Sequence, residues 1–429
     1  MHPPHPCRSA AIGQRNLASS DSLINLDRFN QPVGMDHDLI SATEACRLLG
    51  ISSATLYAYV SRGLLQSRPG PDHRSRCYRR QEVERLAQKR RAGRGAARGA
   101  AQSLDRGLPV LETQISLIQP DGPYYRGLSA IAAARGGATL EDVARRLWDC
   151  GSDDPFTAPL ALHWPASVAG FAGDTTLPAL ERTLAAMPLL GLEVRHSFSL
   201  AASVRREIAA LLLRQNAALL LGRPPSTAPV HRQIAEAWLP GNDEFSELVR
   251  ASLVLCAEHE LNVSAFAARV VASTGAHLHA TVCSGLAALS GPRHGGATVR
   301  AHALIAAGSD EIAARWQRGD DLPGFGHVLY PDGDPRAAEL LAMLRRQHGH
   351  SAALGELDEL IARAGTVSGL HPNLDFSLAA LCRLHALPVT SATVIFASGR
   401  LAGWLAHALE QQAQDRLIRP RAQYTGLRP

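Results

Sequence analysis

Segments with alanine and leucine along one face recur from residue 108 onward, and they limit the fold more than any other feature. This spacing is typical of amphipathic helices rather than of strands. Apolar residues make up 46% of the sequence and aromatic residues only 5%, whereas a sandwich or barrel would need more aromatic and β-branched residues. The sequence therefore predicts a mostly α fold. The predicted helices include residues 139–149, 177–187, 203–221, 245–260, 265–290 and 377–384.

Cysteine and lysine usage excludes several kinds of site. The seven cysteines are scattered singly, which favours reduced thiols in a cytoplasm over a disulfide framework or a structural zinc site. Lys89 is the only lysine, so the chain after it has no Schiff-base or P-loop lysine. No stretch reaches the length of about 18 apolar residues that a membrane span requires. We expect a cytoplasmic chain with no membrane partner.

Positive charge is concentrated at the front of the chain. Residues 1–107 contain 17 Lys and Arg against 9 Asp and Glu, a net charge of +8, whereas the remainder has 27 basic and 30 acidic residues. Such asymmetry is expected where one domain meets a polyanion. Residues 1–38 are predicted to be a disordered tail, within which Met35 is an alternative start. Residues 93–107 are rich in Gly and Arg and are predicted to be a linker.

Residues 39–92 have the pattern of a small helical domain. A capping box opens a first helix at Ser41, Gly50 ends it, and a second helix follows from residue 54 to 62. A basic loop and a third helix near residues 81–91 complete the pattern, which resembles the winged helix-turn-helix of MerR regulators. The resemblance implies DNA binding through residues 39–92. The alternative is a module that packs or docks a partner protein, because the second helix carries few base-reading side chains.

Three motifs in the second half of the chain carry acid–base side chains. His294 lies in Gly-Pro-Arg-His-Gly-Gly, His327 lies in Gly-Phe-Gly-His, and Asp375 lies in Asn-Leu-Asp-Phe between apolar neighbours. Two histidines and one carboxylate suit the removal of a proton from a carbon beside a carbonyl group. Burial among apolar residues would raise the pKa of Asp375 towards that of a useful base.

These motifs, in this order, resemble the citrate synthase family over about three quarters of the chain, residues 108–429. The resemblance implies a large and a small helical domain, with the small one at roughly residues 310–392. It also implies Asp375 as the base, His294 as the donor to the thioester oxygen, and His327 as the donor to the ketone. The residues implied for binding the ketoacid are His259, Arg336, Arg400 and Arg419, of which Arg419 would reach the neighbouring subunit's site.

The expected activity is the condensation of acetyl-CoA with oxaloacetate to citrate and CoA, in a homodimer with shared active sites. No cofactor and no metal is implied, and the pair His277 and His279 is interpreted as packing or surface groups. Val328 and Pro331 stand where the family often has basic residues, so CoA affinity or acyl choice is expected to differ. The segment after Asp375, which begins at Ser377, also lacks the Ser-Gly that the family commonly has there. This difference adds to the same expectation.

Three alternatives stay open. Propionyl-CoA as the donor would give 2-methylcitrate, and one methylene in a pocket changes binding by only about 1–3 kcal/mol. A DNA-binding regulator that senses an acyl-CoA or a ketoacid would explain the positive charge of residues 1–107, although a sensor needs no catalytic base. In the third alternative, the chain is an accessory isoform whose helix-turn-helix only docks a partner.

Overall fold

The computed structural model divides the chain into two units, Met1–Glu112 and Thr113–Pro429. Several segments predicted from the sequence, namely the tail, the linker and most of the third helix, lie outside the residues that the structure describes. The described residues are 39–61, 65–70, 75–80, 82–84, 111–349, 351–422 and 424–427.

Two short helices joined by a glycine turn open the first unit. The side chain of Ser41 accepts a hydrogen bond from the backbone amide of Glu44 at 3.2 Å, which caps the first helix. Gly50 ends this helix in the left-handed conformation, at φ +60°. Both signals were read correctly from the sequence. The elements are β1 (Leu39–Ser41), α1 (Ala42–Leu49), α2 (Ser53–Ser61), β2 (Ser67–Pro69) and β3 (Arg76–Arg79).

A three-stranded antiparallel sheet packs beside these helices in the order β1-β3-β2. Tyr78 pairs with Ile40 on one face, and both side chains are buried in a small apolar core. Arg68 and Arg79 lie on strand positions of the opposite face and are exposed. The first unit therefore has its own core and presents basic side chains on the outer face of its sheet.

The second unit begins with a small sheet. β4 (Ser116–Gln119) pairs antiparallel with β5 (Gly122–Tyr125), which pairs in turn with β6 (Leu128–Ser129). Tyr125 fixes the sheet to the helical body, because its buried hydroxyl donates to the carbonyl oxygen of Val254 at 2.9 Å.

The rest of the second unit is helical, as predicted. None of the helices in the described ranges is long and apolar enough to cross a bilayer. The helices are α3 (Ala130–Arg135), α4 (Leu140–Leu147), α5 (Ala166–Ala169), α6 (Ala179–Glu193), α7 (Ala202–Leu221), α8 (Val230–Trp238), α9 (Asp243–Cys256), α10 (Val263–Ala272), α11 (Leu278–Leu289), α12 (Gly296–Ala307), α13 (Ser309–Arg318), α14 (Pro335–His348), α15 (Ala352–Ser368), α16 (Leu374–Leu384) and α17 (Ser391–Gln414), with a short 3₁₀ turn at Pro155–Thr157.

The long helix predicted over residues 265–290 is wrong. The structure has two helices there, α10 and α11, because Gly275 takes a left-handed conformation at φ +79° and interrupts the helix. His277 caps the second helix, since its Nδ1 accepts from the amide of Ala280 at 3.2 Å. The apolar period continues on both sides of Gly275, which is why periodicity alone predicted one helix.

Two glycines bring α17 against the end of α9. A Cβ on Gly399 would lie 2.7 Å from the carbonyl oxygen of Leu253, and one on Gly403 would lie 2.5 Å from that of Ala257. The amide of Gly403 also donates to the Ala257 oxygen at 3.0 Å. The backbones can approach this closely only without side chains at these positions. Arg400 lies between the two glycines, inside α17, and so lies at this contact.

Candidate active site

Hydrogen bonds between two loops hold the Gly-Phe-Gly-His motif of His327 against the Asn-Leu-Asp-Phe motif of Asp375. The amide of Gly326 donates to the carbonyl oxygen of His371 at 2.7 Å, and the amide of Asn373 donates to that of Gly324 at 2.8 Å. The Asn373 side chain closes the contact by donating from Nδ2 to the carbonyl oxygen of Gly326 at 2.9 Å. The candidate histidine that follows Gly326 and the candidate base two residues after Asn373 are therefore held on adjoining loops.

Both glycines of the Gly-Phe-Gly motif have left-handed backbones, with φ +87° at Gly324 and +76° at Gly326. A Cβ on Gly324 would also lie 3.0 Å from the Cβ atoms of Ala301 and Phe376. Glycine is required here for both its backbone conformation and its size. This explains why the sequence brackets its histidine with glycines.

Asp334 joins Arg336 to the start of helix α16. Its carboxylate accepts from Arg336 Nε at 2.9 Å and from Nη2 at 2.8 Å, and also from the backbone amide of Leu374 at 3.1 Å. The ion pair is almost fully buried, and the Arg336 charge keeps the pKa of Asp334 lowered although its burial opposes this. Arg336 is thereby fixed beside the helix that carries Asp375.

His259, His327 and Tyr330 form one aromatic cluster. The ring centroids of the two histidines lie 5.1 Å apart, and His259 Nε2 is 3.1 Å from the Tyr330 hydroxyl. His327 Nδ1 accepts from the amide of Leu329 at 3.1 Å, so a neutral ring carries its proton on Nε2. That Nε2 lies 3.5 Å from Arg336 Nη2. Two donors side by side make a site for a carbonyl or carboxylate oxygen.

His294 is held by a serine that the sequence reasoning missed. His294 Nε2 lies 2.7 Å from Ser264 Oγ, which also accepts from the indole of Trp404 at 3.0 Å and donates to Asn262 Oδ1 at 2.8 Å. The hydroxyl has one proton, so it would give this proton to His294 only after rotating away from Asn262. When it donates to His294, the neutral ring keeps its own proton on Nδ1 and becomes a donor. The signal in the sequence was Asn-Val-Ser at residues 262–264, which begins three residues after His259.

Arg400 is buried at the contact between α17 and the end of α9. Its Nε donates to the carbonyl oxygen of Cys256 at 2.6 Å and its guanidinium lies 4.6 Å from the ring centroid of Phe396. That ring also contacts His294, at 5.8 Å between centroids. Among the described residues no carboxylate lies within ion-pair distance of Arg400. A buried cation of this kind favours binding of an anionic ligand.

Burial sets the protonation states of the acid–base residues. It raises the pKa of Asp375 to about 6, an effect that the nearby Arg336 charge opposes. Burial, together with the Arg400 charge, lowers the pKa of His294 to about 4. Burial, together with the charges of Arg336 and then Arg400, lowers the pKa of His327 to about 4. The two histidines are therefore neutral at pH 7, whereas Asp375 is mostly ionised. The Arg400 charge acts on all three groups, so they share one electrostatic environment.

Asp375 is the second residue of helix α16, after Asn373 as its cap. The backbone amide of Asp375 donates to Asn373 Oδ1 at 3.0 Å, and no hydrogen bond or ion pair holds its carboxylate within the described ranges. A carboxylate in the first turn of a helix gains from the helix dipole, but here desolvation outweighs that gain. Asp375 is thus a partly buried base with free lone pairs.

Six of the seven predicted residues come together in this region, and Arg419 does not join them. It lies on the exposed segment after α17 and, in the part of the chain that is described, forms no hydrogen bond or ion pair with the other six. His277 caps α11, and His279 is fully buried with its ring 5.9 Å from that of His277. No three metal-capable side chains gather anywhere in the described ranges.

Two family models match this chain. A family model described as citrate synthase, C-terminal domain, matches residues 103–421. The chain belongs to the citrate synthase family. A second model, described as a helix-turn-helix domain, matches residues 39–91 and confirms the motif predicted there, while its MerR-like character stays a prediction.

Curated relatives include citrate synthases and a 2-methylcitrate synthase. A citrate synthase of Haloferax volcanii is 38% identical over 205 residues, which cover 43% of this chain and 52% of the relative. A 2-methylcitrate synthase of Shewanella oneidensis is 37% identical over 193 residues, with the same two shares. A citrate synthase of Mycolicibacterium smegmatis is 36% identical over 218 residues, 46% of this chain and 57% of the relative. The chain thus spans about half the length of these relatives.

Solved structures show the same fold. Citrate synthase of Thermotoga maritima superposes with a TM-score of 0.61 at 23% identity, covering 75% of this chain and 94% of that one. Citrate synthase of Thermoplasma acidophilum, in a ternary complex with carboxymethyl coenzyme A and oxaloacetate, gives a TM-score of 0.61 at 22% identity, covering 75% of this chain and 95% of that one. The mostly helical fold class predicted from the sequence is confirmed.

The raised pKa of Asp375 makes stability depend on pH in a defined direction. The folded protein holds this proton up to about pH 6, against an ordinary pKa of 3.8, so ionisation destabilises the fold as pH rises from about 4 to 6. The Asp375→Asn variant cannot ionise. We expect it to melt at a higher temperature than the parent at pH 7.5, with a difference that disappears near pH 4. Thermal melting across this range measures it, with Asp332→Asn in an exposed loop as the charge-matched control. A difference that is constant with pH would contradict the prediction.

Proposed function

We propose that this chain is an acyltransferase that condenses acetyl-CoA with oxaloacetate and releases citrate and CoA. The observation that carries the proposal is how two buried arginines contact the acid–base residues. Arg336 lies 3.5 Å from His327 and is joined through Asp334 to the helix of Asp375, and Arg400 packs on the Phe396 ring that contacts His294. A partly buried base, two neutral donors and two guanidinium groups are the groups that this reaction needs. Carboxylates of the ketoacid would meet Arg336 and Arg400, which suit planar anions.

The proposed steps follow from the protonation states. The carboxylate of Asp375 removes a proton from the methyl group of the thioester, while the Nδ1 proton of His294 stabilises the enolate oxygen. The enolate carbon attacks the ketone, and the alkoxide that forms is stabilised by a hydrogen bond from Nε2 of His327. The alkoxide takes up, in net, the proton that Asp375 removed, so both side chains return to their starting states. Water then hydrolyses the new thioester, so that citrate and CoA leave. His259 would hold the ketoacid, as the family pattern implies.

Propionyl-CoA is a second candidate donor, and one observation favours it. The Shewanella oneidensis relative named 2-methylcitrate synthase matches this chain about as well as the citrate synthases do. Val328 and Leu329, beside His327, are exposed apolar side chains. They stand near positions where the family often has basic residues, and an apolar surface there suits a longer acyl group better than a phosphate.

The proposed enzyme has two domains that close over the substrate. Residues 310–392 would form the small domain, whose closure over the ketoacid would exclude water and build the thioester site. Residues 93–107 would link this enzyme body to the helix-turn-helix. Six cysteines in the described ranges are free thiols, which fits a cytoplasmic protein. The chemistry proposed needs no metal and no cofactor beyond the CoA thioester.

Thiol release measures the reaction directly. With oxaloacetate present, we expect DTNB to detect CoA release from acetyl-CoA, propionyl-CoA or both, and the ratio of kcat/KM values identifies the donor. The Asp375→Ala variant should lose about 10²–10⁴-fold in kcat, the usual contribution of a general base. Rates without oxaloacetate give the background from protein thiols. Absence of turnover with both donors would overturn the proposal.

A homodimer with shared sites is supported by exposed apolar side chains. Leu192, Phe198 and Leu200 are 81%, 69% and 84% exposed. Phe198 and Leu200 line one cavity with Gln412 and Asp415, at the end of α17. Because Arg419 follows that end, burial of this apolar surface against a second copy would bring the arginine to the partner's site.

Mixing two inactive variants tests the shared site. Arg419→Ala and Asp375→Ala should each be inactive alone, because each defect would affect every site of a homodimer. In a mixed dimer one site carries both defects and the other carries none, so unfolding and refolding an equimolar mixture should restore about a quarter of the parent activity. Light scattering confirms the dimer. If the mixture stays inactive while dimers form, Arg419 acts within its own subunit or has no role.

DNA binding is the proposed role of the helix-turn-helix at residues 39–92. The matched family model and the +8 charge of residues 1–107 support it. Arg68 and Arg79, on the outer face of the sheet, would contact phosphates. Docking of a partner protein is the alternative outcome.

Fluorescence polarisation of labelled duplex DNA at several salt concentrations separates these outcomes. The full chain should bind with an affinity that falls as salt rises, and Arg68→Ala or Arg79→Ala should each reduce the slope of log K against log salt by about 1. Arg363→Ala, an exposed arginine of α15 in the second unit, serves as the charge-matched control. Binding that is insensitive to both sheet arginines would contradict DNA recognition by this face.

A further inference from the structure

A fully buried carboxylate directly precedes His259. Glu258 is 0% exposed; its Oε1 lies 2.7 Å from His407 Nε2, and its Oε2 accepts from the backbone amide of Glu260 at 2.6 Å. The two partners therefore use both oxygens of the carboxylate. A buried carboxylate is costly unless it is fully hydrogen-bonded, so this one constrains everything that it contacts.

The amide that Glu258 holds belongs to a strained residue. Glu260 has a left-handed backbone, at φ +55°, which residues with a side chain rarely adopt. The turn carries the chain from the end of α9 to α10, and His259 is its central side chain. The hydrogen bond from the Glu260 amide to Glu258 stabilises this turn and so fixes the direction in which His259 leaves the backbone.

Arg269 determines the tautomer of His407. Its Nη1 lies 3.1 Å from His407 Nδ1. A guanidinium can only donate, so Nδ1 must accept and cannot carry a proton. The ring is therefore neutral, with its proton on Nε2, where it donates to Glu258. Arg269 is itself 0% exposed and donates to Gln411 Oε1 and Glu410 Oε2, both at 2.7 Å.

We infer that Glu258, His407 and Arg269 form a buried positioning chain that orients His259 for the ketoacid. Each link has a fixed donor and a fixed acceptor, from Arg269 to His407 to Glu258 and then to the Glu260 amide. The chain begins at the last turns of α17 and ends at the turn that holds His259. This inference rests on the proposed function for the identity of the ligand that His259 binds. The tautomer of His407 follows from its hydrogen bonds alone and does not depend on the proposed function.

Two substitutions at His407 separate positioning from packing. A glutamine can accept from Arg269 through its oxygen and donate to Glu258 through its amide, so His407→Gln keeps the order of donors and acceptors. Leucine fills the site but leaves the Glu258 carboxylate and one Arg269 donor without their partner. His279→Leu is the matched control, because His279 is equally buried and neither of its ring nitrogens has a hydrogen-bond partner in the described part of the chain.

Steady-state kinetics with each substrate varied in turn test the chain. We expect His407→Leu to raise KM for oxaloacetate by about tenfold or more, as misplacement of a binding group does, with KM for the acyl-CoA changed less than about twofold. His407→Gln and His279→Leu should stay within about twofold of the parent for both substrates. Circular dichroism confirms that each variant is folded. Equal KM values in His407→Leu and His279→Leu, or equal losses for both substrates, would overturn the inference.

A second measurement needs no turnover. Two-bond ¹H–¹⁵N correlation spectra of histidine-labelled protein distinguish the two neutral tautomers, and comparison with His407→Gln assigns the His407 signals. We expect the Nε2-protonated neutral form. A protonated ring or the Nδ1 form would overturn the chain even if the enzyme condenses its substrates. If instead no acyl-CoA reacts but the expected tautomer is found, the proposed function fails while the geometry of the chain stands.

Discussion

The site depends on the hydrogen bonds that pair the Gly324–Gly326 loop with the segment before Asp375. These bonds are made by backbone groups and by the Asn373 side chain, so they hold the loops together whatever ligand is present. Asp334 adds a second connection, because its carboxylate accepts hydrogen bonds both from the Arg336 guanidinium and from the first backbone amide of α16. The acid, one histidine and one arginine are thus placed by contacts that do not involve the reacting atoms.

Burial then decides what these side chains can do. The same loss of hydration raises the pKa of a carboxylic acid and lowers that of an imidazole, so one environment yields a base and neutral donors near pH 7. Arg400 is held there without a carboxylate partner within the described residues, at a cost that an anionic ligand would offset. The chemistry of the site is therefore a property of its desolvation as much as of its residues.

Helix α17 supports three parts of the site from one face. Arg400, Trp404 and His407 are spaced four and then three residues apart, so they line the same side of the helix. Arg400 contacts the end of α9, Trp404 holds the serine beside His294, and His407 holds the carboxylate before His259. The small residues Gly399 and Gly403 let this face approach closely enough for all three contacts.

The sequence by itself determined the helical class, the helix-turn-helix and the three acid–base motifs, because periodicity, caps and glycine-bracketed histidines are local signals. It did not reveal the break at Gly275, where the apolar period runs on unchanged, nor Ser264 as the partner of His294. The Glu258–His407 pair lies 149 positions apart along the chain and has no local signature. Only the tertiary structure decided such contacts, because they depend on which buried groups must satisfy one another once water is removed.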